Sequence, residues 1–266
     1  MSMYAKFRRE IAAGGLPVAS APGKTIEASQ LASLPEPAQR YLRYMGVVGR
    51  AQDWSFRVGF RGRFRIKPQQ AWKNCEAWQY NSRLAVARIF QIRVRFGGLA
   101  TVLARDTYRD GQGRMLVRLM DLITIGDGIG EEYNIGELVT YLNDAVLICP
   151  TMLLVPEVSW AAVDDSSFDV SLADHGRVVT GRVSVSANGV ATEFSTMDRF
   201  YSDPEVPKSL RRARWTTPVT GWQIIDGRSL PTRCQAVWHL PGGPFMYADF
   251  TPIPASIAFN VGPDSD

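Results

Sequence analysis

The sequence predicts a mainly β domain of the α+β type, in which a curved antiparallel sheet or half-barrel wraps a central apolar helix and N-terminal helices come first. Two observations support this prediction. Apolar and polar side chains alternate over long stretches on both sides of the middle of the chain, and one helical stretch between them is apolar on most sides. Such a helix has to be buried, and the concave face of a sheet between the two groups of strands offers the place for it.

The N-terminal part has helical rather than strand periodicity. Residues 3–13 show the pattern of a short amphipathic helix that ends at two consecutive glycines. An arm follows, and a second helix opens at a Pro-Glu-Pro segment after residue 34. We therefore divide the chain into an N-terminal helix and arm, residues 1–33, and a single β-rich domain, residues 34–266.

From Trp54 the periodicity changes to two, which is typical of half-buried strands. Asp110 and Gly111 mark a hairpin turn within the first group of strands. Further turn signals follow residue 160, so we expect residues 53–125 and 160–260 to form one continuous antiparallel system. The apolar helix is predicted for residues 135–148.

The start of that helix carries a recognisable capping pattern. Asn134 is followed three residues later by Glu137, which is the spacing of an N-cap and its reciprocal partner. Cys149 and Pro150 then end the helix, because proline cannot continue the hydrogen-bond ladder. Between these limits the apolar residues occur on most sides, so the helix is predicted to pack on the concave face of the sheet.

Charge and composition exclude several classes of protein. The 30 Lys and Arg residues are nearly balanced by 26 Asp and Glu, and we predict no nucleic-acid partner. One basic run has the spacing of a solvated sheet face, or of a docking surface for a protein partner. It contains Arg57, Arg61, Arg63, Arg65 and Lys67, with Arg83, Arg88, Arg93 and Arg95 after it.

The sequence also lacks the usual signatures of bound cofactors and metals. It contains no phosphate-binding loop, no HExxH motif and no GxSxG elbow, and its two histidines have no neighbouring ligand residues. We predict neither a cofactor nor a metal. Three isolated cysteines and the absence of an apolar N-terminal stretch lead us to expect a cytoplasmic protein.

The first functional hypothesis is binding of a hydrophobic or lipid-like small molecule in a cavity between the sheet and the helix. Contact with a membrane surface is compatible with this role but is not required by it, and the sequence carries no signal for an oligomeric state. The aromatic residues equally suit an ordinary core. The candidate ligand-binding residues are Asp106, Tyr108, Leu142, Trp160, Arg199 and Trp238.

The alternative hypothesis is a metal-independent small-molecule enzyme, such as a cyclase, isomerase or hydrolase. Tyr141 and Asp144 are its candidate catalytic residues, because they form a close polar pair on an otherwise apolar helix. Burial would raise the pKa of Asp144 toward the range that acid–base catalysis uses. A structural hydrogen bond to a strand backbone explains the same pair.

Several short segments carry a recognisable pattern. They are Ala104–Tyr108 with Gly111 and Gly113, Tyr141–Asp144, Pro150–Pro156, Asp198-Arg199, Gly227–Thr232 and Val237–Gly243 with Tyr247. Together they resemble an uncharacterised family of bacterial β-rich domains of unknown function, from about Leu34 to Asn260. This family is similar to lipoprotein-carrier folds, in which an antiparallel half-barrel wraps a helix and encloses an apolar cavity. Relatives carry Arg at the position of Thr140 and Glu at that of Asp144. If those two groups pair in relatives, the resemblance implies that this chain has lost the arginine.

Overall fold

The computed structural model describes residues 2–97, 100–206 and 209–263. Within these ranges three α-helices occur, and none of them is long and apolar enough to cross a membrane. They are α1 (Met3–Ala13), α2 (Glu36–Tyr44) and α3 (Glu131–Ile148). Short 3-10 turns cover Ala28–Leu31, Pro150–Leu153 and Pro254–Ser256.

The remaining regular secondary structure of the described residues consists of 18 strands. The strands before α3 are β1 (Ser55–Phe64), β2 (Lys73–Ser82), β3 (Ala87–Arg95), β4 (Thr101–Arg109), β5 (Gln112–Leu119) and β6 (Ile123–Ile129). Those that follow it directly are β7 (Val158–Asp164), β8 (Ser167–Asp174), β9 (Arg177–Val185), β10 (Ala191–Thr196), β11 (Phe200–Ser202) and β12 (Leu210–Arg212). The last are β13 (Trp215–Pro218), β14 (Trp222–Ile225), β15 (Arg228–Pro231), β16 (Cys234–Leu240), β17 (Gly243–Pro252) and β18 (Ala258–Phe259).

Fourteen of the described strands form one curved antiparallel sheet that is not closed into a barrel. Its order is β6-β5-β4-β3-β2-β1-β17-β16-β13-β10-β9-β8-β7, with β18 also paired to β1. This confirms the predicted sheet around a helix. The expectation that residues 160–260 belong wholly to this sheet needs a correction, because the short hairpins β11–β12 and β14–β15 pair only within themselves.

The path of the chain explains why α3 is buried. The first six strands lead from the middle of the sheet to one edge, and β7 starts again at the other edge. The helix α3 connects these two edges, and it contacts strands from both halves of the sheet, including β4, β5, β8 and β9. Each residue from Gly136 to Ile148 is buried.

The helix α3 begins four residues earlier than its capping pattern predicts. Its N-cap is Gly130, whose φ of 117° is a conformation that favours glycine. Asn134 lies within the first turns, and its side-chain oxygen accepts a 2.7 Å hydrogen bond from the Gly113 N–H. A Cβ on Gly113 would lie 2.1 Å from the carbonyl oxygen of Tyr133, so only glycine allows β5 to approach the helix this closely.

The helix α1 covers part of the outer face of the sheet. Phe7 and Ile11 are buried against Tyr80 and Ile89 in a small second core. Arg57 is only 8% exposed and lies over the ring of Tyr4. The prediction of a solvated basic face is therefore wrong at Arg57. The apolar side of the amphipathic α1 packs on this part of the sheet and covers it.

A buried ionic cluster ties together four distant parts of the chain. Asp53 is fully buried just before β1, and both of its oxygens accept hydrogen bonds from Arg228, at 2.7 and 2.8 Å. Asn260 and Thr151 donate to the same carboxylate, at 2.7 and 2.5 Å. Burial opposes ionisation of Asp53, but these donors prevail and lower its pKa.

The central position of α3 gives a stability prediction. Leu142 is fully buried on this helix, and Leu142→Ala should lower the free energy of unfolding by about 2–5 kcal/mol through lost burial and a residual cavity. Urea denaturation measures the change. Leu122→Ala is the matched control, since Leu122 is 74% exposed and its truncation should cost less than about 0.5 kcal/mol. Equal effects of the two changes would contradict the central placement of α3.

Candidate ligand cavity

A cavity of about 300 Å³ lies between α3 and the concave face of the sheet, with the start of the β11–β12 hairpin along its border. One wall is aromatic and comes from both halves of the sheet. Its rings are Phe60, Phe64, Phe90, Trp215, Trp238, Phe245, Tyr247 and Phe250. A cavity lined in this way provides a large apolar surface for a small molecule.

The opposite wall is polar and is built around α3. Glu137, Thr140 and Asp144 follow one another at spacings of three and four residues, so they share one side of the helix. Thr140 and Asp144 line the cavity, together with Arg88 from β3 and Asp106 from β4. Alternation along β3 and β4 directs Arg88 and Asp106 to the same concave face as their apolar neighbours.

Arg88 holds this polar wall together. Its Nε donates to Asp144 Oδ2 at 2.7 Å and its Nη1 donates to Glu137 Oε2 at 2.8 Å. All three side chains are almost completely buried. The second oxygen of Asp144 accepts a 3.1 Å hydrogen bond from Asn143, which in turn accepts one from Thr217. Each carboxylate that Arg88 contacts is thus fixed in place.

The cluster holds more carboxyl groups than guanidinium groups, and this changes how its members titrate. Burial, followed by the nearby Asp106, raises the pKa of Glu137 to about 7, although Arg88 acts in the opposite direction. Burial also raises the pKa of Asp144 and of Asp106. Glu137 is therefore the member of the cluster that gains or loses a proton near neutral pH.

Arg199 enters the cavity from the segment before β11. Its Nη1 donates to the hydroxyl of Thr140, and its guanidinium lies 4.7 Å from the ring centre of Trp215 and 5.7 Å from that of Trp238. No carboxylate in the described part of the chain forms an ion pair with it. Its cation is stabilised by two aromatic faces instead.

The structure brings four of the eight predicted site residues to the cavity. Asp106, Asp144, Arg199 and Trp238 line it. The Oδ1 atom of Asp106 is buried and has no hydrogen-bond partner among the described residues. Sequence reasoning had ranked Asp106 and Arg199 as ligand-binding residues, and their roles remain a proposal.

The other four predicted residues lie away from the cavity. The hydroxyl of Tyr108 donates to Asp174 at 2.5 Å, Leu142 is fully buried in the core, and Trp160 packs against Phe168. Tyr141 is buried on α3, and it does not line the cavity. The enzyme hypothesis needs Tyr141 and Asp144 in one cavity, and the structure does not place them together.

Arg88 and Glu137 were missed as site residues, although the sequence contains a signal for Arg88. Arg88 shares its position parity with Phe90 and Ile92, so it faces inward and does not belong to the basic outer face. Glu137 pairs with Arg88 and is not a capping partner. The expected loss of an arginine partner for Asp144 is also corrected, because Arg88 supplies it from another element.

Among the described residues, no group of three or more His, Cys, Asp or Glu side chains is arranged to hold a metal ion.

Comparison with known proteins identifies the family of this chain. Residues 24–250 match DUF6544, a family of unknown function. A solved structure of a LolA superfamily protein from Nitrosomonas europaea aligns with 83% of this chain and 92% of its own, at 12% identity and a TM-score of 0.36. No curated protein matches the sequence significantly. The resemblance inferred from the sequence is thus confirmed.

The role of Arg88 can be tested by removing its charge. Arg88→Met should lower the free energy of unfolding at pH 8 by about 3–5 kcal/mol, because it leaves Glu137 and Asp144 buried without their cation. Chemical denaturation measures this loss. Arg114→Met is the control, since Arg114 and Asp127 pair at the surface, and its effect should be much smaller. A similar loss in both variants would argue against the central role of Arg88.

The pKa of Glu137 gives a pH prediction. Its pKa of about 7 lies above its ordinary value of 4.5, so its deprotonation in the folded state destabilises the protein as the pH rises toward 8. Between pH 5 and 8 the wild type should therefore lose at least about 1 kcal/mol more stability than Glu137→Gln. Thermal unfolding across this range measures the difference. Glu132→Gln, at an exposed position on the same helix, should keep the wild-type profile.

Proposed function

This chain belongs to the DUF6544 family, and we propose that it binds an amphiphilic small molecule whose apolar part lies in the cavity between α3 and the sheet. The observation that carries the proposal is that an aromatic wall and a polar wall face each other across one cavity. An apolar chain would contact the rings, and a polar end would meet the side of α3 that carries Thr140 and Asp144.

The cavity is partly open to solvent, and it is large compared with the voids of a packed core. Close-packed protein interiors contain few voids bigger than a water molecule, whereas this space corresponds to about ten water volumes. A ligand, or the enclosed segment of a longer ligand, would have about the same number of non-hydrogen atoms. This size favours a single short chain or a small ring system over a complete two-chain lipid.

The surroundings of the cavity support binding rather than a packing defect. Arg88, Glu137 and Asp144 are held rigidly by mutual ion pairs, so the polar wall is formed before any ligand arrives. Trp215 and Trp238 offer flat apolar faces with few rotatable bonds. A preformed site of this kind loses little conformational entropy when it is filled. The hydrophobic partner expected from the sequence fits it, and a cytoplasmic location remains a prediction.

The test is to fill the cavity with protein atoms. Ala104 lines the cavity on β4, and Ala104→Phe should abolish the fluorescence enhancement of 1-aminoanthracene, a neutral apolar probe, by occupying its space. Ala161→Phe is the control, because Ala161 is exposed on the edge strand β7. Circular dichroism checks that both variants fold. Native mass spectrometry of the purified wild type should also detect a small molecule that Ala104→Phe lacks.

Two results would contradict the proposal. The first is failure of the wild type to bind 1-aminoanthracene or to carry any co-purified molecule. The second is binding that Ala104→Phe and Ala161→Phe retain equally, since the probe would then occupy another part of the surface.

A further inference from the structure

We propose that the polar end of the bound molecule is a neutral hydroxyl group, held between Asp106 and Arg199. The inference rests on the proposed function, because it names the chemistry of a ligand in the same cavity. It depends on two polar side chains that line the cavity and lack part of their hydrogen-bond or ion-pair partners. It also depends on the charge balance of the groups around them.

Asp106 is the first of these side chains. It projects from β4 into the cavity, and its Oδ1 atom is buried without a hydrogen-bond partner among the residues that the structure describes. Buried carboxyl oxygens are almost always hydrogen-bonded, since an unpaired one loses its hydration without replacement. A ligand group that donates to Asp106 would remove this deficit.

Arg199 is the second. One of its nitrogens donates to Thr140, and the described residues provide no carboxylate partner for its charge. Burial raises the pKa of Asp106, whereas Arg88 and then Arg199 act in the opposite direction. Arg199 and Asp106 are thus electrostatic neighbours, yet they form no direct ion pair. A group located between them has to accept a hydrogen bond from Arg199 and donate one to Asp106. A hydroxyl does both with a single oxygen atom.

Two other polar side chains that line the cavity already have partners. The guanidinium of Arg65 lines the cavity and donates to the carbonyl oxygens of Met246 and Pro68, both at 2.8 Å. The hydroxyl of Tyr247 accepts a 3.1 Å hydrogen bond from the indole of Trp215. Asp106 and Arg199 are therefore the side chains best placed to receive a ligand's polar end.

The charge of the cluster favours a neutral ligand. Arg88, Arg199 and the half-buried Arg65 contribute three positive charges, and Asp106, Glu137 and Asp144 contribute up to three negative charges. The two signs therefore balance to within one charge, whether or not Glu137 holds a proton. A carboxylate or an ammonium group would then add an uncompensated charge in a buried place, at a considerable cost in free energy.

A hydroxyl also tolerates either ionisation state of Asp106. It donates to the carboxylate form and accepts from the protonated form, which burial favours. An ammonium group suits only the first form, and a carboxylate only the second. With a chain that fills about ten water volumes, the ligand class is a medium-chain alcohol or the hydroxyl-bearing end of a larger apolar molecule.

The experiment compares four ligands of nearly equal size against the wild-type protein at about pH 7.5, by isothermal titration calorimetry. They are 1-octanol, heptyl methyl ether, octanoate and octylamine. The ether retains the acceptor of the alcohol but lacks its donor. We expect 1-octanol to bind about tenfold more tightly than the ether, because the ether leaves Asp106 unpaired. Octanoate and octylamine should both bind more weakly than 1-octanol.

A variant tests the role of Asp106 directly. Asp106→Asn keeps the shape of the side chain, and its amide group can donate to the ether oxygen. The preference for alcohol over ether should therefore fall to less than about threefold. Asp127→Asn is the matched control, since Asp127 pairs with Arg114 at the surface, and it should keep the full preference. If Asp106→Asn fails to fold, the wild-type ligand series still decides the matter.

Several outcomes would overturn the inference. Tightest binding of octanoate would show that Arg199 receives an anion, and tightest binding of octylamine would show that Asp106 receives a cation. Equal affinities for the alcohol and the ether would mean that Asp106 needs no donor from the ligand, either because water satisfies it or because it holds a proton itself. In each case binding of 1-aminoanthracene, and its loss in Ala104→Phe, would leave the proposed function standing. Failure of every compound, including 1-aminoanthracene, would overturn both.

Discussion

The helix α3 joins the two edges of the sheet, so the chain has to carry it across the concave face. Every residue from Gly136 to Ile148 becomes buried by this path, including Glu137 and Asp144. Carboxylates in such a place need a cation and further donors, or their desolvation outweighs the gain from packing. Arg88 on β3 meets this requirement for both groups at once. The ion pairs thereby fix how α3 is rotated against the sheet.

Two further polar side chains explain why the space beside α3 stays open. The sheet brings Phe90, Trp215 and Trp238 toward the helix, and an apolar helix surface would let these rings pack against it. Asp106 and Arg199 stand in this position instead. If the gap closed, a carboxyl oxygen without a partner would lie against aromatic rings. The free energy lost in this way would exceed the free energy gained from the new apolar contacts. Contact of these polar side chains with water, or with a polar group of a small molecule, is more favourable than their contact with the rings.

Local periodicity was enough to predict the strands, the buried helix and the packing of the sheet around that helix, because each depends on neighbouring residues in the sequence. The site depends on finer geometry. Tyr141 follows Thr140 directly, but a step of one residue turns a helix by about 100° and takes its side chain to a different neighbourhood. Arg88 and Glu137 are 49 residues apart, and no local pattern joins them. Arg88 and Phe90 are two residues apart on one strand, so the sequence predicts which face of the sheet Arg88 lies on. Its partner can be identified only from the full topology.

The cavity depends on the complete sheet. Its rings come from β1 and β3 on one side and from β13, β16 and β17 on the other, and these halves meet where β1 pairs with β17. The Asp53 cluster supports this junction, since it links the start of β1 to Arg228 and to Asn260 near the C-terminal strand. Neither half of the chain alone encloses the space. Any ligand that fills it therefore contacts only the fully assembled fold, and by mass action it stabilises that fold as a whole.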